Sequence, residues 1–369
     1  MTHQAIRHID GHFGNICPKA QEGIMVKGRF APSPTGRMHL GNILSAFLSY
    51  LSAKSQGGQW LLRIEDLDQG RSRTEFARQL EEDLLWLGLE WDEGGLDHAE
   101  YCQSKRGEIY EHYCSLLAER GLTYPCWCSR ADLMASSAPH QSDGRVVYAG
   151  TCRPRKDFRP GENGVGFYAA DGSYRDCSRK AATRIMVPDR EITIVDRHYG
   201  PVSENLARDC GDFIIKRADG TAAYQLAVVV DDALMGVTEV VRGCDLLQSA
   251  PQQAWLHETL GFEAPAFAHL PLLCAHDGRR LCKRDKSLDM GELRKRYTPG
   301  HMLGLLAQLS GLIQGSDIRQ GNDSGHGRDS KQASDSKRII DMDNPPYMSL
   351  EEIIPLFSWS KVPLDNIVL

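Results

Sequence analysis

The stretch Arg29-Phe30-Ala31-Pro32-Ser33-Pro34-Thr35-Gly36-Arg37-Met38-His39-Leu40-Gly41-Asn42 decides how the rest of the chain reads. It begins as a short strand, breaks at two prolines, turns at Gly36 and predicts a helix entered near His39. Between Ile43 and Leu51 apolar residues recur at three- and four-residue steps, and Gly57-Gly58 ends the run. A strand feeding a helix through a small-residue turn makes an anion site, because backbone N–H groups and the helix dipole point at one spot. Gly41 lets a flat ring or a phosphate approach the backbone, and His39 can donate to phosphate oxygens. An isolated H-x-G fragment is an ordinary βα turn; the whole stretch is far more specific.

A chain of 369 residues accommodates two or three domains around a substantial core. With 41% hydrophobic and 25% charged residues, the composition is that of an ordinary soluble protein. No apolar run approaches the roughly 20 residues of a membrane span. The N-terminus lacks the apolar core and small-residue cleavage site of a secretory signal. The 11 cysteines, an odd number scattered along the chain, point to a reducing compartment, so a cytoplasmic location is expected. The net charge of −6 gives no global sign of nucleic-acid binding, which would require a local basic patch.

Residues 1–24 show no clear period and are expected to be a disordered extension. Gln59 to Asp68 reads as a buried strand ending in three carboxylates, Glu65, Asp66 and Asp68. The C-terminal edge of a parallel strand is where open α/β sheets bind ligands. Helices are expected from Thr74 to Leu87, stopping at Gly88, and from about Lys105 to Arg120. Cys126-Trp127-Cys128 is followed by Tyr148 and Cys152, a C-x-C…Y-x3-C pattern. Spacing alone leaves two readings: three free thiols, or a closed tetrahedral zinc site with Tyr148 or His140 as fourth ligand. Residues 155–180 are uninformative.

Ala182–Pro188 and Glu191–Asp196 read as alternating strands. Cys210–Thr221 reads as a strand with a hairpin turn at Asp219-Gly220. Ala222–Asp232 starts as a helix and runs apolar into Asp231-Asp232, and Val237–Val241 is a buried β run closed by Arg242-Gly243-Cys244-Asp245. Farther on, Arg280-Leu281-Cys282-Lys283-Arg284 is a basic loop. One helix is expected over His301–Leu312. Gly315 to Lys337 is polar and reads as a flexible segment, with a short amphipathic stretch at Leu350–Phe357 beyond it.

Taken together, these elements resemble the glutamate-type class I aminoacyl-tRNA synthetases. Arg29–Gly36 ahead of His39-Leu40-Gly41-Asn42 is similar to their first signature, "HIGH". Arg63-Ile64-Glu65-Asp66-Leu67-Asp68, Tyr224–Asp232 and Val241–Leu246 are similar to further family elements, and 280–284 to the "KMSKS" loop. Two departures stand in that loop: Arg280 for the first lysine and Cys282 for the serine, the latter removing a hydroxyl donor. The resemblance covers roughly Met25 to Leu312. It implies a Rossmann-type α/β catalytic core with a zinc-binding insert and a short helical stem-contact region. The expected divisions are 25–120 and 181–250 for the two halves of the core, 121–180 for the insert and 251–314 for the stem-contact region. A linker at 315–337 and a short C-terminal tail at 338–369 follow.

The resemblance further implies activation of L-glutamate by ATP with Mg²⁺ assistance, giving glutamyl-adenylate. His39, Gly41, Asn42 and Lys283 would be catalytic, and His39, Gly41, Arg280 and Lys283 would meet ATP. Glutamate would lie against Arg29, Phe30, Ala31, Pro32, Ser33, Glu65, Tyr224 and Arg242. An amino-dicarboxylic acid needs cationic forks for its carboxylates, here Arg29 and Arg242, and acceptors for its ammonium, here Glu65 with the Tyr224 hydroxyl. The C-x-C…Y-x3-C pattern and the short run after Leu312 resemble the glutamyl-queuosine tRNA(Asp) synthetases. That likeness implies structural Zn²⁺ on Cys126, Cys128, Tyr148 and Cys152. It also implies queuosine-containing tRNA(Asp) as acceptor, and a monomer. A short synthetase charging the 3′ end of tRNA(Glu), and a non-catalytic paralogue binding tRNA or glutamate, are the alternatives.

Overall fold

The computed structural model describes residues 25–129, 131–132, 147–154, 159–160, 166–168, 174–275, 288–313 and 340–369. The chain opens with β1 (Lys27–Phe30), α1 (Leu40–Lys54), β2 (Gln59–Leu62), α2 (Thr74–Trp86), β3 (Glu93–Gly94) and α3 (Gly107–Glu119). An irregular stretch then carries β4 (Thr123–Cys126), β5 (Arg159–Pro160), β6 (Gly166–Tyr168), β7 (Tyr174–Asp176), β8 (Ala182–Ile185), β9 (Glu191–Asp196), β10 (Gly200–Asn205) and β11 (Phe213–Lys216). The nucleotide-type fold resumes with α4 (Tyr224–Leu234), β12 (Glu239–Gly243), α5 (Ala250–Leu260), β13 (Ala266–Leu270) and β14 (Leu273–Cys274). After these come α6 (Met290–Arg296), α7 (Pro299–Leu309), α8 (Leu350–Ile353) and β15 (Ile367–Val368).

The central sheet has the order β13-β12-β1-β2-β3, and all its pairings are parallel. Parallel strands covered on both faces read as continuous apolar runs, which explains Trp60-Leu61-Leu62 and the fully buried Ala266–Leu270. Helix α1 lies directly on β1: a Cβ at Gly28 would stand 3.1 Å from Ala53 Cβ. The helix spans Leu40–Lys54 and buries eleven of its residues, so it is a core helix. The antiparallel sheet β11-β8-β4 and the hairpin of β9 and β10 flank the second half. The turn read at Asp219-Gly220 is present, with Gly220 at φ 92°; it returns the chain to a single bridge between Lys216 and Ala222. Helix α4 continues through both aspartates as far as Leu234. No glycine or proline interrupts it, and its acidic pair is held by arginines described below.

Residues 340–369 fold back onto the body. Met348 N–H donates to Gly300 O at 3.0 Å, and a Cβ at Gly304 would collide with the Pro346 oxygen, so α7 has no room there for a side chain. Strand β15 then pairs in parallel with β14. Among the described residues no helix is long and apolar enough to cross a membrane.

His257 of α5 is buried, and that burial pushes its pKa down to about 4. An unfolded chain takes up this proton near the ordinary value of about 6.5, before the native state does. The associated stability is therefore complete above about pH 6.5 and is lost as pH falls towards 4, up to roughly 3 kcal/mol. Urea unfolding of the wild type and His257→Gln at pH 7 and pH 4.5 should show a shallower acid loss in the variant.

Candidate active site and metal centre

Strands β1 and β12 are neighbours, yet the chain leaves them towards opposite edges of the sheet. The crevice beyond their C-terminal ends is therefore the topological switch point, where open α/β sheets bind ligands. From β1 the chain reaches His39, the N-cap of α1. Its Nδ1 accepts from Gly41 N–H at 3.1 Å, while Asn42 Oδ1 accepts from His39 N–H at 3.2 Å. An accepting Nδ1 assigns the proton of the neutral ring to Nε2, a donor suited to a phosphate oxygen. Asn42 thus serves the cap. His39, Gly41, Leu44 and Ser45 form one wall of a cavity of about 150 Å³, and Gly243, Asp245, Leu246 and Leu270–Leu273 form the other. His39 also forms a β-bridge with Asp289, and Met290 N–H donates to Met38 O at 2.9 Å. Arg280, Cys282 and Lys283 lie outside the described residues, but both flanks of that segment, Leu273 and Asp289, abut the His39 turn.

Beside this cavity is a buried charge network. Arg63 donates to Asp232 Oδ1 at 2.6 Å and to Glu65 Oε1 at 3.1 Å, and stands 3.9 Å from Asp231. Arg29 Nε donates to the same Asp232 oxygen at 3.4 Å. Asp231 accepts from Arg106 at 2.6 Å, Tyr110 at 2.8 Å and Gln103 at 2.9 Å. Burial raises the Glu65 pKa, opposed by Arg63 and Arg29. Burial acts on Asp232 in the same sense, but there the attraction of Arg63 and Arg29 outweighs it and the pKa falls. Of the other carboxylates in that sequence element, Asp66 accepts from Ser104, and Asp68 pairs with the exposed Arg71.

Arg242, on β12, is buried and lies within electrostatic reach of Arg29, Asp232 and the Tyr224 hydroxyl. Its guanidinium donates to His269 Nε2 at 3.0 Å, Gln253 Oε1 at 2.7 Å and Leu246 O at 3.3 Å. His269 Nδ1 in turn meets Asp196 Oδ2 at 2.6 Å. The structure therefore brings Arg29, Glu65, Tyr224 and Arg242 together, with Tyr224 38% exposed at the rim. Phe30 instead stacks on Trp60 in the core, with ring centroids 6.1 Å apart. Ala31 and Pro32 are half-buried and Ser33 is exposed on the loop between. Asp196, His269, Gln253 and Arg63 were missed in the sequence, where a single histidine or arginine in an apolar strand carries no signal of its partner.

The cysteine pattern also converges. Sγ atoms of Cys126, Cys128 and Cys152 lie within 4.8 Å of one another. Cys128 and Cys152 are 3.6 Å apart, and Tyr148 Oη is 3.6 Å from Cys126 and 3.9 Å from Cys128. A tetrahedral zinc with ordinary bond lengths separates thiolates by about 3.8 Å and a thiolate from an oxygen by about 3.5 Å. The four residues fit that ion. Arg184 lies 3.7 Å over the Tyr148 ring and donates to Cys126 Sγ at 3.2 Å, placing a cation against a set rich in negative charge. The Cys126 pKa is lowered, first by bonding from Cys128 and Cys152.

The match to known proteins is extensive. The catalytic domain of class I tRNA synthetases (E and Q) matches residues 25–309. A glutamyl-Q tRNA(Asp) synthetase from Symbiobacterium thermophilum is 43% identical over 93% of this chain and 95% of its own. The chain belongs to the glutamyl-Q tRNA(Asp) synthetase family. A glutamate–tRNA ligase from Sulfurihydrogenibium is 40% identical over 73% of the chain, but only 55% of that longer protein is covered. The crystal structure of a glutamate tRNA ligase from Elizabethkingia meningosepticum, in complex with its amino acid, superposes with a TM-score of 0.66 at 26% identity. That match covers 94% of this chain and 67% of the other.

In this synthetase Arg63 is the hub cation of the buried network. Removing it leaves Glu65 and Asp232 short of charge compensation, and Arg63→Met should cost about 3–5 kcal/mol in urea unfolding. Arg71→Met, which breaks the exposed pair with Asp68, should leave the urea midpoint almost unchanged in the same measurement.

Proposed function

We infer that the chain is an ATP-dependent ligase that activates L-glutamate as glutamyl-adenylate and transfers it to queuosine in tRNA(Asp). The observation that carries the first step is the pairing, at one switch point, of the His39 cavity with the arginine–carboxylate set. In the first step a glutamate α-carboxylate oxygen attacks the ATP α-phosphorus and pyrophosphate leaves. Family membership carries the acceptor; there the acyl group passes from the adenylate to the base and AMP leaves. Mg²⁺ bound with ATP would offset phosphate charge.

The nucleotide ring fits the cavity between α1 and Leu270–Leu273, and His39 Nε2–H donates to a phosphate oxygen. Arg280 and Lys283 supply cations to the α-phosphate and the departing pyrophosphate. Arg242 and Arg29 receive the substrate carboxylates, while Glu65 and the Tyr224 hydroxyl accept from its ammonium. Because no protein group bonds covalently to substrate, these residues act by positioning and by charge stabilisation. Zinc on Cys126, Cys128, Tyr148 and Cys152 would be structural, fastening the base of the insert.

Labelled glutamate offered with tRNA(Asp), with and without queuosine, and with tRNA(Glu) tests the reading. Label should appear on queuosine-containing tRNA(Asp) alone and survive periodate oxidation of the 3′ end. Label on tRNA(Glu) that periodate abolishes would replace it with a short glutamate–tRNA ligase. In pyrophosphate exchange, Arg242→Ala should raise the glutamate KM at least about tenfold and leave the ATP KM nearly unchanged. Denatured protein should release one equivalent of zinc to a colorimetric chelator. Cys126→Ser should hold less metal and melt at a lower temperature.

A further inference from the structure

Arg242 can receive a carboxylate only if its fork is held in one plane, and two residues outside the substrate set hold it. We propose that Asp196 and His269 are positioning residues for Arg242: Asp196 keeps the imidazole proton on Nδ1, so that Nε2 accepts from Arg242 Nε and orients the guanidinium towards glutamate. The inference rests on the reading of Arg242 as a glutamate-binding residue.

The geometry is specific about which proton sits where. Arg242 Nε can only donate, so His269 Nε2 at 3.0 Å must be an acceptor, and the ring proton must lie on Nδ1. Nδ1 is 2.6 Å from Asp196 Oδ2, and that carboxylate oxygen has the acceptor this N–H needs. The other oxygen, Oδ1, is already committed to backbone: it accepts from His198 N–H and Tyr199 N–H, each at 2.9 Å, and from His269 N–H at 3.3 Å. Asp196, His269 and Arg242 are all buried, which keeps water from substituting for a lost partner. A doubly protonated ring would put a second cation against Arg242, and burial lowers the His269 pKa, so the ring stays neutral. The chain of contacts crosses three strands, from the end of β9 through β13 to β12, where His269 and Arg242 are register partners.

This arrangement makes Asp196→Asn a discriminating change of one atom. The three backbone N–H groups at Oδ1 pin the amide oxygen of the asparagine in that place, so its NH₂ must face His269 Nδ1. The imidazole proton is then driven to Nε2, where it confronts Arg242 Nε–H, donor against donor. The fold loses no volume, but the fork turns from its plane. The effect belongs on glutamate binding.

The experiment is pyrophosphate exchange on the full chain, with the KM for glutamate and for ATP measured separately, for wild type, Asp196→Asn, His269→Phe and the double variant. Asp196→Asn should raise the glutamate KM about tenfold or more and change the ATP KM by less than about twofold. In the His269→Phe background the asparagine should add almost nothing, because the ring that transmits the change is gone. Nitrogen NMR of ¹⁵N-histidine-labelled wild type reads the tautomer directly and does not depend on any variant folding. A His269 proton on Nδ1 is expected; a proton on Nε2 in the wild type overturns the proposal. So does a folded Asp196→Asn protein with an unchanged glutamate KM, provided Arg242→Ala raises it. If Arg242→Ala leaves that KM unchanged, the assignment of Arg242 itself has failed, and the relay falls with it.

Discussion

A single buried guanidinium, Arg63, holds the two halves of the parallel-sheet fold together. It sits at the end of β2 with carboxylates from two directions, Glu65 on its own strand exit and the Asp231-Asp232 pair on α4. Bringing that many charges out of water is costly unless each has a partner with good geometry. The partners come from both halves of the nucleotide fold, so the halves cannot separate without stranding a charge. The same constraint explains why α4 tolerates two aspartates in an otherwise apolar run. They are the points at which the helix is bolted to β1, β2 and α3.

What the chain discloses before folding depends on how local each feature is. The His39 turn is readable because its cap, glycine and apolar helix follow one another within a few residues. The C-x-C…Y-x3-C cluster is visible as a pattern because its spacing is short, although spacing alone leaves free thiols and a zinc site as alternatives. Arg184 is not: it reaches Cys126 across 58 residues of sequence, and only the pairing of β8 with β4 brings it there. The Asp196–His269–Arg242 chain is hidden for the same reason, being written across three strands. Phe30 shows the opposite limit. Its place inside a signature stretch invites a role at the substrate, yet its ring packs on Trp60, because alternate residues of a buried strand serve different faces.

Asp212 ties the cysteine cluster to the strands around it. Its carboxylate accepts from Tyr124 at 2.6 Å and from Val187 N–H at 2.9 Å, and its carbonyl accepts from Arg184. The cysteine cluster is thereby linked to the antiparallel sheet that leads directly into α4. A structural ion there would stiffen this junction.

Strand β15 gives the cavity beside His39 a support from far along the chain. Leu273, in the cavity wall, pairs with Ile367, and Leu272 N–H donates to Asn366 Oδ1 at 3.0 Å, so this wall is completed by residues from a distant part of the chain. Closing a loop of roughly 90 residues is entropically slow compared with forming a cap within one helical turn. The two sides of the cavity therefore differ in how far apart their supporting contacts lie in sequence. The His39 wall is fixed by contacts within a few residues, whereas the Leu272–Leu273 end of the other wall is held by residues near the far end of the chain. A ligand bound between them would tie a long-range contact to a local one.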